Sequence, residues 1–150
     1  MALITLGANG LGAGVGGKVL QIVNVTDDTN RGTTSTSYAH ISSFDIAITP
    51  SATSSKIFLQ FSGLLYKADN IGTAFLTFYR DSTDLSGSSS SFACNDGDNK
   101  YDGSTSYSYL DSPNTTSQVT YKVYMKVNSG SAYIINQVVK GSITLFEIGA

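Results

Sequence analysis

"SQVTYKVYMKVN", residues 117–128, is the stretch that decides between helix and sheet. Val119, Tyr121, Val123, Met125 and Val127 occupy every second position, and Thr120, Lys122, Tyr124 and Lys126 stand between them. Successive side chains of a strand point to opposite faces, so this order makes one apolar and one polar face. Wound as a helix, the same five residues would scatter around the axis. The pattern repeats on both sides. "KVLQIVNVT" (18–26), "FDIAIT" (44–49), "KIFLQFSGLLYK" (56–67), "TAFLTFYR" (73–80), "SAYIIN" (131–136) and "GSITLFEIG" (141–149) all read as strands. Phe44, Ile46 and Ile48 alternate with Asp45, Ala47 and Thr49 before Pro50 ends the run. In the last segment Ile143 and Leu145 stand opposite Thr144, Phe146 and Ile148. No window of helix length repeats apolar residues at i, i+3, i+4 and i+7. Turn-forming clusters fall at 27–34, 50–55, 68–72, 81–90, 95–104, 111–116 and 128–131. Short strands at that spacing predict an all-β fold, an antiparallel β-sandwich of jelly-roll-like form over 18–150. A glycine-rich N-terminal arm, 1–17, precedes it.

The chain has 150 residues, the size of one domain with a substantial core. Only 13% of them are charged, against about 25% in an average protein. Ser, Thr, Gly, Asn and Tyr take their place, which gives a neutral polar surface. A net charge of -2 with scattered basic residues leaves no electrostatic footprint for nucleic acid. Cys94 is the sole cysteine, so neither an internal disulfide nor a cysteine-based metal site is available. The first cation is Lys18, and the glycines of the arm argue against both a signal peptide and a membrane-spanning helix. These features lead us to expect synthesis in a cytoplasm and no membrane partner.

"GAGVGGKV" (12–19) matches the spacing of a phosphate loop through Gly12, Gly17 and Lys18, and of a dinucleotide fingerprint through Gly12, Gly14 and Gly17. Both motifs work only where a helix starts directly after the glycines, and the first also needs Ser or Thr after the lysine to hold magnesium. Val19 stands there, and a strand follows. The motif is therefore read as part of the arm, and no cofactor is expected. Leu3, Ile4, Leu6 and Leu11 on that arm are the candidate docking residues, since exposed apolar side chains at a terminus would otherwise cost solubility.

Catalytic constellations are hard to assemble. His40 is the lone histidine, Glu147 the lone glutamate, and neither G-x-S-x-G nor HExxH occurs. Most acids, Asp111 included, fall in predicted turns, so no enzyme is expected. "CNDGDNKYDG" (94–103) brings Asp96, Asp98 and Asp102 close together, but residue 107 is Tyr where a calcium loop needs Glu, and a surface turn is the preferred reading. Tyr101, Tyr107 and Tyr109 flank that loop. With Asp96 and Asp98 they form a candidate contact for a glycan or a partner, set against ordinary cross-strand packing. Two strands are apolar on both faces. Ile57, Leu59 and Phe61 oppose Phe58, Leu64 and Tyr66, and Phe75 and Tyr79 oppose Leu76 and Phe78. A sandwich core uses one face of each strand, so Phe58, Leu64, Tyr66, Leu76 and Phe78 are the candidates for a subunit interface, and a homo-oligomer follows.

Laid end to end, "GKVLQIVNV" (17–25), "TTSTSYAHI" (33–41), "ITPSATSSKIFL" (48–59), "FYRDSTDL" (78–85), "YLDSPNTTSQVTYKVYMK" (109–126) and "SITLFEIGA" (142–150) resemble a β-rich module of tailed-phage virion structural proteins, marine and cyanobacterial phages above all. The resemblance covers about residues 17 to 150 and brings no catalytic residues. It implies a trimeric virion component, with a capsid decoration, cement or head-appendage protein first and a short tail-fibre or spike protein second. The short arm ahead of the module suits a protein clipped to a capsid shell. The implied partners are further copies of the chain, other virion proteins such as the major capsid protein, and a host surface glycan. A carbohydrate-binding module built on the tyrosines and acids of 96–109 is the alternative from another class.

Overall fold

The computed structural model describes residues 17–67, 72–87, 91–96, 102–134 and 139–149. The strands are β1 (Lys18–Asp27), β2 (Arg31–Thr33), β3 (Ala39–Ile48), β4 (Lys56–Lys67), β5 (Thr73–Arg80), β6 (Thr83–Asp84), β7 (Ala93–Asp96), β8 (Asp102–Asp111), β9 (Val119–Val127), β10 (Ala132–Ile134) and β11 (Gly141–Gly149). No helix occurs among the described residues, and every strand pair is antiparallel.

The strands form two sheets. In the six-stranded sheet β1 pairs β11, β11 pairs β4, and β8 lies along the other edge of β4; β10 pairs the last residues of β4 and carries β2. The five-stranded sheet runs β3, β9, β5, with β6 and β7 sharing the far edge of β5. Setting aside the short strands β2, β6 and β10, the eight that remain run first, eighth, third, sixth in one sheet and second, seventh, fourth, fifth in the other. That order is the double Greek key of a jelly roll.

The core lies between the sheets. Ile57, Leu59, Phe61, Ile143 and Leu145 face Phe44, Ile46, Leu76, Phe78, Tyr121, Val123 and Met125, all fully or almost fully buried. Residues 119–127 alternate buried and half-buried along their whole length, as their sequence pattern requires. The register of β3 shifts between Ile41 and Ile46, so that Ile41 and Phe44, three positions apart, both reach the core. Such an irregularity re-aims side chains without ending the strand. Ahead of β5, Gly72 holds φ +75, a conformation that favours glycine, and a Cβ there would stand 2.6 Å from the Ser129 carbonyl oxygen.

Several expectations are corrected. Leu76 and Phe78, assigned to a subunit interface, point into the core with no exposed surface. The register decides this: Leu76 sits opposite Met125 and Phe78 opposite Val123, and directly paired residues share a face. Phe75 and Tyr79 are the outward pair. Tyr107, read as a surface contact, is also buried, and Tyr109 packs half-buried against the core. The expected turns at 27–34, 81–90 and 95–104 contain β2, β6 and the start of β8. β8 opens on Asp102 and Gly103 and alternates Ser and Tyr over 106–109 where most strands alternate polar and aliphatic residues, so its signal is faint.

Candidate functional site

At one end of the sandwich the inner face turns polar. Gln21, Glu147, Ile57 and Asp111 line up as one cross-strand row. Asp111 is 6% exposed; its carboxylate accepts from Arg80 Nη1 at 2.7 and 2.9 Å and from the Tyr121 hydroxyl at 2.7 Å. Arg80 and Tyr121 belong to the opposite sheet, so this cluster ties the two layers together. Burial pushes the Tyr121 hydroxyl well above its usual range, and its bond to Asp111 raises it further. Glu147 has no exposed surface and accepts from the Ser51 amide at 2.6 Å, the Ser51 hydroxyl at 3.0 Å and the Gln21 amide at 2.6 Å. Burial opposes its charge, but the hydroxyl of Ser55, the Ser51 amide and Gln21 outweigh that and pull its pKa below the ordinary value. Both carboxylates point into the protein, each held by its own donors. They fasten the strands that carry them.

The outer face of the six-stranded sheet carries an apolar band. Ile22, Phe146, Phe58 and Leu110 stand directly opposite one another across β1, β11, β4 and β8. Ile22 is 58% exposed and Leu110 54%; Phe58 and Phe146 are half-buried with ring centroids 6.0 Å apart. Leu20 (44% exposed) and Ile148 extend the band towards the start of β1. Gly17 lies against it, since a Cβ there would meet Ile148 Cγ2 at 2.1 Å. The adjoining rows are polar: Asn24, Thr144, Gln60 and Ser108, then Thr26, Ser142, Ser62 and Ser106. Leu64 and Tyr66 lie farther along β4, with Tyr66 against Tyr133 of β10.

On the outer face of the five-stranded sheet, Tyr124 is stacked between His40 and Tyr79 at centroid distances of 5.1 and 3.9 Å, and Tyr38 meets Tyr79 edge-on at 6.4 Å. His40 Nε2 contacts Asp45 Oδ1 at 2.5 Å across the β3 irregularity. Beside Tyr38 a cleft of about 410 Å³ opens between Phe75, Lys126, Asn128, Thr36 and Ser91. Burial, reinforced by Asp84, pushes the Tyr38 hydroxyl up to about 12.

The candidates read from the sequence therefore divide. Phe58, Leu64 and Tyr66 share the outer face of the six-stranded sheet; Leu76, Phe78, Tyr107 and Tyr109 turn inward. Leu3, Ile4, Leu6, Leu11, Asp98 and Tyr101 lie outside the described residues, and so does the side chain of Asp96 at the end of β7. Among the described residues no group of three His, Cys, Asp or Glu gathers in a metal-binding arrangement. Asp111 and Glu147 were not foreseen as buried, though each shares the inward phase of its strand, Asp111 with Tyr107 and Glu147 with Leu145. A carboxylate in the apolar phase is itself the signal.

The fold and its surfaces define a jelly-roll sandwich with a polar pinned end and two unlike outer faces. No family model matches the chain, and no curated protein does. Among solved structures it is similar to that of the infectious bursal disease virus Gt strain, at 11% identity over 87% of this chain and 38% of the other, with a TM-score of 0.48. Infectious bursal virus derived T=1 particles give 13% identity, 87% and 36% coverage and a TM-score of 0.47. The VP2 subviral particle of infectious bursal disease virus gives 13%, 87% and 38%, with a TM-score of 0.42. The chain spans less than two fifths of the length of these proteins, and no residue takes a role from the likeness.

Proposed function

We propose that this protein is a non-enzymatic structural component of a tailed-phage virion, exposed on the particle and assembled from three copies. A decoration or cement protein of the capsid is the preferred reading, and a short tail-fibre protein the second. The observation that carries the proposal is the apolar band Ile22, Phe146, Phe58 and Leu110, laid in register across four strands on a face the sandwich does not cover. Monomeric proteins seldom leave such a band in water, and a second copy of the chain covers it at low cost, because neutral polar rows adjoin it on one side and the cation on the other, Lys56 opposite Ile148, stands at its exposed rim. In this reading Leu3, Ile4, Leu6 and Leu11 of the arm bind the other proteins of the particle. The chain resemblance set out above supports the same assignment. Sedimentation velocity at micromolar concentration tests it: the wild type runs as a trimer, and Phe58→Asp runs as a folded monomer with an unchanged β-type circular dichroism spectrum. A wild-type protein that sediments as a monomer overturns the proposal.

A further inference from the structure

The cleft beside Tyr38 has a composition that the assembly role does not use. It lies on the outer face of the five-stranded sheet, away from the apolar band. Lys126 places its ammonium 4.4 Å from the centroid of the Tyr38 ring and 5.4 Å from that of Phe75, and among the described residues no carboxylate pairs with it. The rings hold the cation in place, and among the described residues its N–H groups have no oxygen acceptor, because an aromatic face attracts a cation and forms no strong hydrogen bond to it. Around it stand the hydroxyls of Thr36 and Ser91 and the side-chain amide of Asn128, whose oxygen already accepts the Thr73 amide at 2.5 Å and so leaves its NH2 group to donate. Among the described residues that line the cleft the one charged side chain is positive, on a chain whose net charge is -2. Its volume of about 410 Å³ lies at the small end of the ~300–1,000 Å³ usual for small-ligand sites. Aromatic edges and faces, short polar side chains and one ammonium are together what a sugar ring bearing a carboxylate requires: the rings meet its C–H face, the hydroxyl and amide groups its hydroxyls, and the ammonium its acid.

We infer that this cleft, bounded by Tyr38, Phe75 and Lys126, binds a carboxylated sugar, one acidic monosaccharide unit of a larger glycan. The assignment is independent of the tyrosines of 101–109, and it holds whether or not the protein trimerises.

Isothermal titration of the full chain with glucuronic acid, glucose and acetate tests it, with amide shifts in NMR locating the contact. Glucuronate is expected to bind with Kd on the order of 1 mM, a value suited to so small a ligand. Glucose and acetate each bind about tenfold more weakly, and Lys126→Gln costs about tenfold for glucuronate, in keeping with loss of one charge-assisted bond. Shifts concentrate at Thr36, Phe75 and Asn128. Lys122→Gln, on the same strand but outside the cleft, binds as the wild type does, and an unchanged β-type circular dichroism spectrum of the Lys126 variant excludes misfolding. Equal binding of glucose and glucuronate, acetate binding as tightly as glucuronate, no saturation, or shifts confined to another face would each overturn the assignment.

Discussion

Glu147 shows how a single carboxylate is carried inside a layer of aliphatic side chains. It continues the inward phase of Ile143 and Leu145, so the strand delivers it to the interior whether or not water can follow. An unpartnered charge there would cost several kcal/mol, about what losing one partner of a buried pair costs. Ser51 and Gln21 remove that cost by donating at 2.6 to 3.0 Å. The consequence is a pH dependence of defined sign. The folded-state pKa lies below the ordinary value of 4.5, so the stabilisation is complete above pH 4.5 and is lost as pH falls through the lower folded value. Glu147→Gln is expected to lower unfolding free energy by about 1.5–3 kcal/mol at pH 7, the range for hydrogen bonds to a charged group. Urea titrations at a series of pH values should show the gap between the two proteins closing below pH 4.5. A gap that widens on acidification would contradict the hydrogen-bonded anion.

Strands β4 and β5 are apolar on both faces, and their outer faces have different surroundings. On β4 the outward Phe58 meets only Phe146 among the described rings and lies within an exposed band. On β5 the outward Phe75 and Tyr79 are roofed by Lys126 and Tyr124 from the neighbouring strand. Inward Phe78 packs against Phe92 at 5.7 Å and Tyr107 at 4.6 Å. Phe78→Ala is therefore expected to cost about 3–5 kcal/mol in equilibrium unfolding, the range for emptying a packed aromatic site. It should leave sedimentation behaviour at low temperature unchanged, the opposite of the outcome at Phe58. A cost below about 1 kcal/mol, ordinary for a surface site, would place Phe78 on the wrong side of its sheet.

Across the whole molecule, Gly17, the last residue of the arm, meets the apolar band. Gly17 abuts Ile148, so the chain enters β1 at the edge of the band proposed to join copies. Removing residues 1–16 is expected to abolish binding to particles while the truncated protein still sediments as a trimer. Co-sedimentation with particles lacking the protein measures the first, and full occupancy by the truncated chain would remove the arm from the docking role.

Alternation along 117–128 was enough for an all-β chain, because the two-residue period of a strand is a property of local backbone geometry. The same rule assigned Phe58 and Tyr66 to one face and Leu59 to the other. It could not say which apolar face of β5 looks inward, since that depends on β9 lying beside it with Leu76 opposite Met125. Nor could it show that Arg80 and Tyr121 would both donate to Asp111, from three strands in two sheets, or that Lys126 would lodge between Tyr38 and Phe75. Periodicity is written along the chain. Register, the choice of inner face and the company each polar side chain keeps arise when distant strands pair, and the free energy of that pairing belongs to no single segment.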